Sequence, residues 1–161
     1  MRSVLLAAML FLSANAVHAQ SIVFGLGYSD FTYDQSLDTA TVGFEYHHSP
    51  FYQGKFVNVS WGATAGADKN GDFFAGAGLV AEWPLRHDWF VEFSVMPGYY
   101  NADENDNRLG GHLQFRSLIA LGKTLASGNA VSLGLAHASN ASTNPFNPGV
   151  NAIVARFHIP L

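Results

Sequence analysis

The feature that most constrains this chain is a two-residue alternation of apolar with small or polar residues, sustained over about ten positions and repeated eight times. In the first segment Ile22, Phe24, Leu26 and Tyr28 alternate with Val23, Gly25, Gly27 and Ser29. In the second, Val42, Phe44 and Tyr46 alternate with Thr41, Gly43, Glu45 and His47. The third sets Val59, Trp61, Ala63 and Ala65 against Ser60, Gly62, Thr64 and Gly66, and the fourth opposes Leu79 and Trp83 to Gly76, Gly78 and Glu82. The fifth carries Trp89, Val91, Phe93 and Val95 opposite Glu92 and Ser94; the sixth carries Leu113, Phe115, Ile119 and Leu121 opposite His112, Gln114 and Arg116. Val131, Leu133 and Leu135 alternate with Ser132, Gly134 and Ala136 in the seventh, and Ile153, Ala155, Phe157 and Ile159 with Arg156 and His158 in the eighth.

Period two sends alternate side chains to opposite faces of a strand. Each segment therefore has one apolar face and one face of small, polar and charged residues. Charged residues make up only 12% of the chain, about half the ~25% of soluble domains. No cysteine is present to staple a thin core. An even number of strands can close on itself and abolish both sheet edges. These observations predict an eight-stranded antiparallel transmembrane β-barrel of the outer-membrane type. A soluble β-sandwich or lipocalin-like barrel is the alternative, but it would have to fit all the Trp, Phe and Leu into one small interior. Glu45, Glu82, Glu92, Arg116 and Arg156 all fall on the polar face, which predicts a packed ion-pair network inside the barrel and no transport path.

The N-terminus supports export. Arg2, the apolar run Val4 to Leu12 and the small residues around Ala19 predict a signal peptide over 1–19, leaving 20–161 as a single barrel domain. The links after the first, third, fifth and seventh strands (about 30–39, 67–72, 99–110 and 140–148) are expected to face outward. Tyr99 and Tyr100 are expected in the outer aromatic girdle, and Trp83 and Trp89 in the inner one. The net charge of −4 argues against a nucleic-acid partner. His47 and His48 are adjacent, so their side chains point to opposite faces and chelate poorly; no metal site is expected. Asp103, Glu104 and Asp106 read as a solvated loop.

One stretch carries chemistry: His-Ala-Ser-Asn-Ala-Ser-Thr-Asn-Pro-Phe-Asn-Pro-Gly-Val-Asn, from His137 to Asn151. His137 and Ser139 continue the odd register of Val131, Leu133 and Leu135, so both side chains should face lipid, about 6.5 Å apart along the strand. Asn151 shares the odd register of Ile153, Ala155 and Phe157 and should face lipid too, on the neighbouring strand and near the same height. A serine near an imidazole can act as a nucleophile, with the histidine taking its proton. Placed at the lipid boundary, such a pair points to an ester in the outer leaflet, in lipopolysaccharide or phospholipid. The plainer reading is that these are interfacial polar residues at a strand end beside a turn-rich loop.

The His-x-Ser-Asn run followed by Asn-Pro-Gly resembles the active-site region of the outer-membrane lipid A 3-O-deacylases, the PagL family. The specific part of the resemblance covers the final quarter of the chain. The signal peptide, the mature length and the position of the motif in the last hairpin agree with it. The resemblance implies His137 as general base, Ser139 as nucleophile and Asn147 in the oxyanion hole, with Asn140 matching the motif in a supporting role. It implies no cofactor, lipid A of the outer leaflet as substrate, and the bacterial outer membrane as location. A homodimer is left open as a partnership. The family has Glu two residues after the glycine of Asn-Pro-Gly, where this chain has Asn151. An amide can orient an imidazole but cannot stabilise its cation by charge. No acidic residue is expected on the same face nearby, and Glu104 and Asp106 could approach only if their loop folded over. A non-catalytic barrel, serving adhesion or membrane integrity, and a phospholipase-like barrel are the two other readings.

Overall fold

A computed structural model describes residues 20–31, 36–103 and 107–161. The expected signal peptide, Glu104 and Asp106 lie outside these described residues. Among the described residues nine strands form, of which eight make the wall: β1 (Ser21–Phe31), β2 (Thr39–His47), β4 (Asn58–Asp68), β5 (Phe73–Pro84), β6 (Trp89–Asn101), β7 (Leu113–Thr124), β8 (Ala130–Ser139) and β9 (Val150–Pro160). The remaining strand, β3 (Tyr52–Gln53), is a two-residue extension lying against β4. Every pairing is antiparallel, from β2 through β1, β9, β8, β7, β6 and β5 to β4. Pairing of β2 with β4 closes the ring, so no wall strand leaves its backbone donors and acceptors facing lipid.

The outer face is apolar along every strand. Leu26, Trp61, Ile119, Leu133 and Leu135 are each more than half exposed, as lipid-facing side chains should be. The alternation anticipated from sequence holds strand by strand, with even residues outward in β1 and β2 and odd residues outward in β4 to β9. One expectation fails. Tyr99 is outside, but Tyr100 is buried and its hydroxyl donates to the Asn107 carbonyl at 2.9 Å. Strand β6 runs on to Asn101, so two consecutive tyrosines in it must face opposite ways. Trp83 and Trp89 are both partly exposed near the opposite end, and Lys123 Nζ lies 5.2 Å from the Trp89 ring centroid.

Most of the interior is filled, with a cavity of about 120 Å³ left among Gly43, Glu45, Thr64, Tyr100 and Arg116. Val23, Ser94, Met96, Gln114 and Leu118 are almost wholly buried. At mid-barrel Glu45 receives Arg116 at 2.9 Å and Arg156 at 2.8 Å, and Arg156 also meets Glu92 at 2.8 Å. His47 Nε2 lies 3.1 Å from Glu45, and His158 Nε2 lies 2.8 Å from Ser132 Oγ. The ion-pair network expected from the sequence is thus present. His47 faces this interior and His48 faces out. Barrel closure adds what adjacency could not: His47, Glu92 and His158 come from three strands and bring donor atoms within 4.8 Å of one another. Arg156, Glu45 and Ser132 already engage them, so the trio belongs to the charge network.

Candidate active site

Strand register assembles the site. His137 in β8 pairs with Asn151 in β9, and His137 Nδ1 lies 2.9 Å from Asn151 Oδ1. Both side chains are exposed on the outer face. Ser139 lies two residues beyond His137 in β8 and is half-buried. Among the described residues no hydrogen bond joins Ser139 Oγ to His137. Catalytic contacts of this kind commonly tighten only when substrate is bound.

The loop from Asn140 to Gly149 is braced from inside. Asn140 is fully buried, and its Nδ2 donates to the carbonyls of Leu109, Gly110 and Phe146 at 3.0, 3.1 and 2.8 Å. It therefore ties the 140–149 loop to the link between β6 and β7. Asn140→Ala would leave three carbonyls without this donor, a cost of about 1–3 kcal/mol. Faster proteolytic cleavage within residues 140–149 is the expected result, with the strands still protected. The backbone N–H of Asn140 donates in turn to Asn147 Oδ1 at 3.0 Å. Because a backbone N–H can only donate, the Asn147 oxygen is committed and its NH₂ group is left to point elsewhere. That is the polarity an oxyanion donor needs.

Gly149 closes the loop with φ +74°, and a Cβ there would come within 3.0 Å of His137 Cε1. The glycine of Asn-Pro-Gly thus lets the backbone turn left-handed and lie against the imidazole. Beside the site, on the outer wall, is a groove of about 700 Å³, with Tyr28, Phe93, Ile119, Leu135 and Ile153 supplying apolar walls. His137, Asn151, Ser117, Asp30 and Asp38 line its polar end.

Two features escaped the sequence reading. Ser117, opposite His137 in β7, also faces out, and its Oγ donates to the His137 carbonyl at 3.4 Å. Asp30 pairs directly with Asn151 across β1 and β9 and is exposed on the same outer face. The expectation that no acidic residue lies on this face nearby is therefore wrong. Residues 30 and 151 meet only because the barrel closes β1 against β9. The sequence places the start of a loop at residue 30, whereas β1 continues to Phe31.

The family model described as "Lipid A 3-O-deacylase (PagL)" matches residues 24–160. No curated protein matches the sequence. The crystal structure of the outer membrane enzyme PagL is similar with TM-score 0.68 at 21% identity, covering 88% of this chain and 99% of that one. Neisserial surface protein A is similar with TM-score 0.56 at 6% identity, over 88% of this chain and 96% of that one. A de novo designed transmembrane β-barrel gives TM-score 0.54 at 11% identity, over 88% of this chain and 96% of its own. At these identities the structural likenesses establish the eight-stranded outer-membrane barrel as the fold. The family model, which spans nearly the whole barrel, establishes more: the chain belongs to the lipid A 3-O-deacylase (PagL) family.

Proposed function

We propose that this protein is an outer-membrane esterase that removes the 3-O-linked acyl chain of lipid A, after export and loss of residues 1–19. The observation that carries the reading is the His137–Asn151 contact of 2.9 Å on the lipid-facing wall, above an apolar groove. Isolated polar groups at that position are costly without a function. In the proposed cycle Asn151 accepts from His137 Nδ1–H, leaving the Nε2 lone pair as base. His137 takes the proton of Ser139 as Oγ attacks the ester carbonyl, and the Asn147 NH₂ stabilises the tetrahedral oxyanion. His137 returns the proton to the departing 3-oxygen of the sugar, which leaves as the free hydroxyl. Water, deprotonated by the same imidazole, then releases the fatty acid from Ser139.

Mass spectrometry of lipid A incubated with the purified, folded protein tests this directly. The expected product has lost one 3-O-linked hydroxyacyl chain. Fatty acid freed only from glycerophospholipid would replace this reading by a phospholipase. No release from either lipid would make the barrel non-catalytic.

Gly149→Ala bears on the positioning of the base. A left-handed backbone costs a β-carbon roughly 1–2 kcal/mol, and the new methyl presses on the ring. Misplacing a reacting group by ~1 Å costs about 10²-fold. Deacylation by Gly149→Ala is expected to fall by about that factor in kcat, while heat-modified gel mobility shows the barrel still folded.

A further inference from the structure

The residue at the acidic position of the family motif is neutral here, yet the barrel supplies a carboxylate one strand further on. Ser117, His137, Asn151 and Asp30 are successive register partners across β7, β8, β9 and β1. They form one row around the outer wall. Opposed residues in antiparallel strands have Cβ atoms about 5 Å apart. Among the described residues no hydrogen bond joins Asp30 to Asn151, but at that spacing a change of side-chain rotamer would bring the Asp30 carboxylate to the Asn151 amide. Both line the polar end of the same groove as His137.

We propose that Asp30 is a positioning residue for His137, acting through Asn151, so that the acidic function has moved from β9 to β1. The argument is one of hydrogen-bond polarity. An asparagine amide has an acceptor end and a donor end, and either could face an imidazole nitrogen, depending on the tautomer. Taken alone, Asn151 leaves that choice open. An ionised carboxylate only accepts, so Asp30 draws the Nδ2 end of Asn151 toward β1. The Oδ1 end then faces His137, where it lies 2.9 Å from Nδ1. An acceptor there requires Nδ1 to carry the proton, which leaves Nε2 unprotonated for Ser139. The Asp30 charge also polarises the amide and stabilises the imidazolium that forms as Ser139 is deprotonated. This gives the usual order of nucleophile, base and acid, with an amide inserted between base and acid.

The proposal rests on the esterase reading for its effect on rate, but not for its effect on the histidine. Two readouts therefore separate the two ideas. The first is ¹⁵N NMR of histidine-labelled protein in detergent micelles, with the His137 signals assigned by their loss in His137→Gln. Wild type is expected to show the Nδ1–H tautomer, and Asp30→Asn a shift toward a mixture with Nε2–H. The second is deacylation of lipid A. Asp30→Asn is expected to lower kcat by about 10- to 100-fold with KM within twofold. In Asn151→Glu, which restores a carboxylate beside the imidazole, the same Asp30→Asn change is expected to cost less than twofold. Two results would overturn the proposal: an unchanged tautomer in Asp30→Asn, or an equal Asp30→Asn penalty in the wild-type and Asn151→Glu backgrounds. A tautomer shift in a wild-type protein that releases no acyl chain would keep the relay and remove the esterase.

Discussion

Ser139→Ala is expected to reduce release of the 3-O-acyl chain by at least about 10²-fold. The lower bound comes from two magnitudes. Removing the nucleophile or base of a complete triad costs about 10⁶-fold, and an amide in place of the acid by itself costs about 10⁴. An unaided Asn151 would leave the serine only the ratio of these, about 10², to contribute. If Asp30 restores the charge through Asn151, the loss grows toward the larger value. His137→Ala should cost the same as Ser139→Ala, and the double variant no more than either, because nucleophile and base act as one unit. Ser127→Ala is the matched control, since Ser127 lies in the turn between β7 and β8, at the opposite end of β8 from His137. It should keep activity within twofold. Undiminished release by Ser139→Ala would remove Ser139 from the mechanism, and full additivity in the double variant would break the pairing.

The second large effect is on stability and concerns the barrel interior. Arg156, whose side chain is 1% exposed, lies between Glu45 and Glu92. Arg156→Met would leave Glu92 without its guanidinium and Glu45 with Arg116 alone. Opposite Glu92 in the register, Glu82 adds a third carboxylate on the inner face. Breaking a buried ion pair by removing one partner costs about 3–5 kcal/mol, because the other charge stays buried. Urea unfolding in lipid vesicles, followed by tryptophan fluorescence, should register a loss of that size. Arg116→Met should cost less, since Arg116 is more exposed and Glu45 keeps Arg156. Replacing Glu45, Glu92 and Arg156 together by apolar residues of matched volume should recover most of the stability. A small loss in Arg156→Met would mean that water enters the barrel far enough to solvate both carboxylates.

Much of the architecture was legible before any coordinates because a β-strand has a period of two. The alternation in Trp89–Val95 or Val131–Leu135 states which side chains face lipid without reference to any other strand. Tyr100 was misplaced only because the strand was ended too early; extending β6 to Asn101 puts it inside by the same rule. The interior network was legible as a set of inward charges, but its pairings were not. Glu45, Glu92 and Arg156 come from β2, β6 and β9, and only closure of the ring makes them neighbours.

The opening of the site follows the same division. The two-residue spacing of His137 and Ser139, and their odd register, by themselves put both on the lipid face of one strand. Asn151 could be placed on that face from its own strand's alternation. Which residues stand level with His137 is a different quantity. It depends on how far each strand is shifted along its neighbour, and that shift is set by barrel closure and turn lengths. The sequence motif already suggests that Asn151 stands near the height of His137, and the register places it there; only the tertiary structure decided that Asp30, at the other end of the chain, is next to Asn151. Local alternation determines a side chain's direction; height on the wall is a long-range property, and in this protein it supplies the carboxylate that the motif lacks.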